Sequence, residues 1–171
     1  MGRRIATALA VPFVEMDALF WHRPGWVGRD RVGFRAAVEE QTAGAAWVVD
    51  GNYSNAAQDI VWSRADTVVW LDLPRIVVMW QIITRTLARV TLRRELWNGN
   101  RERWRNLMTL DQEDSVIVWS WHQHGRKRLE YGMAMTDPGW RHLSFVRLCS
   151  RRQVDRFVRG LEPSLGSGYE S

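Results

Sequence analysis

Cysteine is nearly absent. Cys149 stands alone, so no disulfide can close within the chain, and a reducing compartment suits it. Lysine is almost missing too: of 24 basic residues all but Lys127 are arginine. A lysine-centred phosphate loop could therefore use only Lys127, in HGRKRLEY, and no glycine-rich run precedes it. Long apolar runs are lacking as well. The greasiest stretch, TVVWLDLPRIVVMWQII, is broken by Asp72, Pro74 and Arg75, short of the roughly 20 apolar residues that span a bilayer. No secretory apolar region precedes Glu15 and Asp17. Together these absences predict a cytoplasmic chain with no membrane partner. The eleven tryptophans follow no fixed period, which excludes a repeat architecture.

What is present suits one folded domain. The 171 residues can bury a sizeable core, and 46% hydrophobic with 25% charged residues is ordinary for a globular chain. A domain is predicted over 1–161, followed by a disordered tail, EPSLGSGYES, over 162–171. Net charge is +5 with a pI near 10.3. Arginine favours bidentate contact with phosphates and carboxylates, although a GC-rich coding sequence gives the same bias.

The pattern alternates. Met1, Ile5, Ala8 and Leu9 make one apolar helical face, yet Gly2, Arg3 and Arg4 stand where a capping residue and acidic side chains belong. PFVEMD reads as a strand delivering Asp17, and Asp30 as the cap of a helix over 31–42. AWVVD ends a second strand in Asp50, GNYS turns toward a short helix, and TVVWLDL is a third strand. Pro74 opens a long helix whose residues Ile76, Trp80, Ile83, Leu87 and Val90 predict one buried stripe. DSVIVWSWHQHGRKRLEY reads as a helix, HLSFVRLC as a fourth strand, and Ser150 as the cap of a last helix. Short, nearly all-apolar strands alternating with helices predict an α/β fold: a three-layer parallel sheet covered by helices on both faces.

Ligands of such sheets sit beyond the C-terminal strand ends, where Asp17 and Asp50 would share one edge. Asp50 suits a carboxylate that holds Mg²⁺ through water, and equally the start of an Asp-Gly turn. Asp17 suits a general base or acceptor-orienting group, and equally a helix cap. Arg85, Arg89 and Arg93 recur every four residues and continue into Arg101, either as a solvated helix face or as a phosphate-binding surface. Arginines interleaved with Trp97 and Trp104 also allow a rival reading, a nucleic-acid-binding module.

VEMDALFW, WVVDGNYS, ADTVVWLDLPR, RTLAR, ELWNGNRE and HLSFVRLCSRRQVDRFV, in that order, resemble the P-loop kinase-like proteins often labelled DNA topology modulation proteins or adenylate-kinase-like ATPases. The resemblance runs from Met1 to about Leu161. It implies an adenylate-kinase-like fold, ATP and Mg²⁺ as ligands, and phosphoryl transfer to an unidentified acceptor. It further implies catalytic roles for Asp17, Arg89 and Arg101, nucleotide contacts from Asp50, Arg85, Arg93 and Arg151, and a lid over about 85–106.

Proteins of that kind lead with a strand and a glycine-rich lysine loop that opens the first helix. MGRRIATALAVP aligns just after that loop, so the expectation is an internal methionine of a longer reading frame, with the first central strand missing from this chain. Burying about five apolar side chains of such a strand contributes on the order of 10 kcal/mol, against about 5 to 15 kcal/mol of stability for a whole domain. The chain as written is expected to fold poorly and bind ATP weakly; a nucleotide-binding-dead remnant is the third reading.

Overall fold

A computed structural model describes residues 1–53, 56–92, 95–100 and 116–162. The lid segment beyond residue 100, with Arg101, lies outside them, as do Arg93 and the tail from 163 onward.

The chain opens with α1 (Gly2–Leu9), which has no side-chain cap and no acidic residue in its first turn. Strand β1 (Phe13–Glu15) runs straight into the one-turn helix α2 (Met16–Phe20). Asp17 therefore sits in the first turn of α2, two residues past the strand that the sequence extends to it. A small antiparallel ribbon follows, β2 (Trp21–Arg23) with β3 (Val27–Gly28). Helix α3 (Arg31–Gln41) starts where expected, because the Asp30 carboxylate accepts the Gly33 N–H at 2.8 Å. Strand β4 (Val48–Asp50) lies parallel to β1, with Glu15 beside Asp50.

Helix α4 (Gln58–Arg64) leads to β5 (Thr67–Leu71), and α5 (Arg75–Thr91) begins behind Pro74. Helix α6 (Val116–Ala134) precedes β6 (Ser144–Leu148), which runs parallel to β5, and Ser150 caps α7 (Arg151–Leu161). The described residues thus form two parallel pairs, β1-β4 and β5-β6, plus the ribbon, rather than one continuous sheet.

The main core lies under the first pair. Met16, Phe34, Val38, Ala57 and Ile60 are buried together, and Phe20, Val49 and Tyr53 pack on them. Arg35 pins α3 to α4 with two bonds to the Asp59 carboxylate, 2.8 and 2.7 Å, and a third to the Ala56 carbonyl. The second pair has its own centre. Trp70 stacks on Tyr131 with ring centroids 5.4 Å apart, and Trp62 meets Tyr131, Trp140 and Phe145 edge-on. Asp72, buried past the end of β5, is held by Arg128 at 3.0 Å and by Arg147. The sequence presents Asp72 only as a break in an apolar run; in the fold it ties β5, β6 and α6 together.

Helix α5 turns differently from its predicted stripe. Ile82, Thr86 and Val90 are buried, whereas Ile76 is 78% and Trp80 65% exposed. The spacing marks one stripe from Ile76 to Val90, but the helix packs against α6 and its buried positions step from Ile82 to Thr86 to Val90. No helix among the described residues is long and apolar enough to cross a membrane.

Candidate functional site

The C-terminal ends of β1 and β4 form a rim, and the acidic side chains gather there because both strands stop in a carboxylate. Glu15 and Asp50 are register partners, so their side chains leave the same face of the pair. Gly51 then turns the chain away with φ of +151°, and a Cβ on it would stand 2.6 Å from the Met16 Cβ, so only glycine fits. That turn carries Tyr53 back over α2. Its hydroxyl donates to the Asp17 Oδ1 at 2.6 Å.

Asp17 is the carboxyl that Tyr53 holds, and it is partly buried. Burial raises its pKa above the ordinary 3.8, and the Tyr53 hydrogen bond opposes the rise. Glu15 and Asp50 add to it, whereas the Arg85 charge works against it. Tyr53 is pushed well above its ordinary value by its own burial and by Asp17, so it stays a donor. A partly buried carboxyl with a raised pKa, held by a phenol, is a group that can take or return a proton.

The helix α1 starts at the same rim. A Cβ on Gly2 would lie 2.8 Å from the Asp50 Cβ and 2.8 Å from the Phe13 ring, so the first turn of α1 rests directly on Asp50. A residue that looks like a poor helix former in the sequence is there because of this close approach. Arg3 reaches the Glu15 carboxylate at 3.6 Å.

Of the residues singled out from the sequence, Asp50 stands on this rim, Asp17 follows it in the first turn of α2, and the charges of Asp50 and Arg85 act on Asp17. Arg89 stands over the Trp97 ring at 5.9 Å. Trp97 in turn meets Trp26, and Trp26 meets Trp21, edge to face. Arg151 lies apart from them, at the end of β6, beside a hollow lined by Leu73, Ile76, Trp80 and Cys149. Arg93 and Arg101 lie outside the described residues.

Sequence reasoning missed Tyr53, because nothing local ties it to a carboxylate 36 positions away. It also gave no reason for ELWNGNRE. Asn98 donates to the carbonyls of Ala18 and Trp21, and the buried Asn100 donates to Arg23 and Trp97 and accepts from the Trp26 N–H. Two asparagines thus clamp the Trp21–Trp26 loop beside α2.

No family model, curated protein or solved structure matches the chain. The site therefore has to be judged on its own chemistry. Among the described residues no group of three or more His, Cys, Asp and Glu side chains could cage a metal. Mg²⁺ needs less, since it keeps several waters and takes one or two carboxylates beside phosphate oxygens. Asp50, exposed and next to Glu15, fits that demand. A triphosphate fits less well: the sequence holds no glycine-rich lysine loop, so these residues supply no phosphate cradle.

Proposed function

We propose that the chain carries the acceptor side of a P-loop kinase-like phosphotransferase of three-layer α/β type, with ATP and Mg²⁺ as the implied ligands. The observation that carries the reading is one rim: Asp50 ends β4 beside Glu15 at the end of β1, the first turn of α1 rests on Asp50, and Asp17 follows in the first turn of α2 under the charges of Asp50 and Arg85. In this reading Asp50 holds Mg²⁺ through water, and the ion supplies charge neutralisation for phosphate oxygens when bound. Asp17 accepts the proton of an acceptor hydroxyl, and Tyr53 fixes the carboxylate's orientation. Arg85 offsets negative charge beside Asp17. Arg89, a proposed lid arginine, stands over the Trp97 ring. Without a cradle for the triphosphate, no transfer step is assigned to the chain as it stands, and ATP affinity is expected to be weak.

The test is a titration with Mn²⁺-ATP, followed through paramagnetic broadening of backbone amide signals. Broadening centred on Gly2, Asp17 and Gly51, and lost in Asp50→Asn, is the expected result. Broadening confined to the arginine-rich helices and unchanged by Asp50→Asn would overturn the reading and favour the nucleic-acid module.

A further inference from the structure

Helix α7 has two unlike sides. Val158 is buried and Val154, Phe157 and Leu161 are half-buried, whereas Arg152, Arg156 and Arg159 are exposed. These three stand at i, i+4 and i+7, so they share one face. At 1.5 Å per residue the row runs for about 10 Å. Asp155, the carboxylate within the helix, is already paired with Arg4 at 2.9 Å, and Glu162 follows only at the C-terminal cap. Among the described residues no carboxylate pairs with Arg152, Arg156 or Arg159. Helices α1 and α7 together hold six arginines against Asp155 alone, which equals the +5 of the whole chain. The surplus charge of the protein is thus concentrated on two packed helices.

The row begins beside a hollow. Its volume is about 450 Å³, and Leu73, Pro74, Ile76, Val77, Trp80 and Arg151 line it where the first turns of α5 approach the N-terminal end of α7. Ile76 and Trp80 are the exposed part of the apolar stripe on α5. The walls are fixed on both sides. The Gln81 amide, turned so that its oxygen faces Arg151, accepts from that guanidinium at 3.2 and 3.1 Å and ties α5 to α7. The Gln153 N–H donates to the Ser150 hydroxyl at 3.2 Å, and the Gln153 side chain accepts from the Cys149 N–H at 2.6 Å, a reciprocal cap. A hollow held in this way is formed before anything enters it, which removes an ordering cost from binding.

The two features select different chemistry. The arginine row calls for anions, and the hollow calls for an apolar side chain. Bilayer surfaces are held by apolar side chains inserted beside the cations, and the outer face of α7 has none. Single-stranded nucleic acid rests on aromatic platforms interleaved with the cations, and that face holds no aromatic residue. We propose that α7 and the hollow at its N-terminal end dock an acidic protein segment, with one apolar side chain seated against Ile76 and Trp80 and carboxylates following it along Arg152, Arg156 and Arg159. Arginine suits the task, because its planar fork takes a carboxylate through two hydrogen bonds. An apolar anchor in a pocket with charged contacts around it is the common division of labour at protein interfaces. This inference stands apart from phosphoryl transfer: the residues named lie away from the β1-β4 rim, and docking is read without nucleotide.

The experiment titrates a fluorescein-labelled peptide, GSFEEDSEEGS, with the whole chain and follows anisotropy. Saturable binding is expected, weakened about tenfold or more in Trp80→Ala and in Ile76→Ala. The combined variant Arg152→Gln, Arg156→Gln, Arg159→Gln should weaken it as much and flatten its salt dependence. Replacing the peptide's phenylalanine by serine should abolish it. All of these changes fall on exposed side chains, and an unchanged thermal melt confirms that each variant folds. Failure to saturate below about 1 mM would overturn the proposal. So would binding that Trp80→Ala and Ile76→Ala leave intact, since charge alone would then account for it. Tighter capture of oligo(dT) or of phosphatidylserine vesicles, lost in the arginine variant, would give the row to a nucleic acid or a membrane instead and overturn it equally.

Discussion

Asp17 sets its proposed role against stability at a single carboxyl. Its pKa is raised by burial, so in the folded chain it keeps a proton at pH values where the unfolded chain has released one. Stability contributed in this way is present below the ordinary value of 3.8 and is lost as pH rises through the raised value. Asn in place of Asp cannot ionise and still accepts from the Tyr53 hydroxyl. Asp17→Asn is therefore expected to melt higher than the parent at neutral pH, the difference closing under acid conditions; thermal melts across pH check it, and a lower melting temperature at neutral pH would contradict the electrostatic account. Asp59 works the other way. Its hydrogen bonds with Arg35 lower its pKa, so its contribution is kept above the ordinary carboxylate value and fades as pH falls through the lowered one. Because Asp59 is largely exposed, solvent screening keeps that contribution small.

At the scale of elements, helix α5 separates pattern from packing. Ile82 is 8% exposed and Ile76 78%, although the sequence assigns Ile76 to the buried stripe. Ile82→Ala is expected to cost about 2 to 4 kcal/mol, and Ile76→Ala less than about 0.5 kcal/mol. Urea titration of both variants checks the difference, and equal losses would return the helix to its predicted face. Boundaries governed by local chemistry were legible in the sequence. Asp30 and Ser150 cap the helices they were expected to cap, because a cap is a contact across three residues. The orientation of α5 was not legible, since it depends on which neighbour the helix meets. Nor were the Asn98 and Asn100 clamps, whose partners lie 77 to 80 positions back in the chain for Ala18, Trp21 and Arg23.

On the whole-molecule scale, the two strand pairs have separate centres, one around Phe34 and Val38 and the other around Trp62, Trp70 and Tyr131. Helix α1 spans them, resting on Asp50 at one end of its contacts and reaching α7 through Arg4 and Asp155 at 2.9 Å. With both partners of that ion pair about half exposed, it contributes little. The chain is expected to unfold with a calorimetric enthalpy larger than the van't Hoff value, the sign of halves that do not melt together. Equal enthalpies would show that the two centres already cooperate. The alternation of strands and helices could be read from sequence because each short apolar run is bounded by polar and turn residues, whereas β1 was carried past its end at Glu15 to Asp17, which belongs to α2. The division of the described strands into two pairs could not, since pairing is set by contacts between elements far apart in the chain.

The lone thiol at the end of β6 has a practical consequence. Cys149 is exposed and shares its hollow with the indole of Trp80. A maleimide dye therefore has one attachment point on the whole chain, close to a natural contact quencher. Any rearrangement that draws α5 away from the β6 terminus would register as a rise in emission, without engineering a second label.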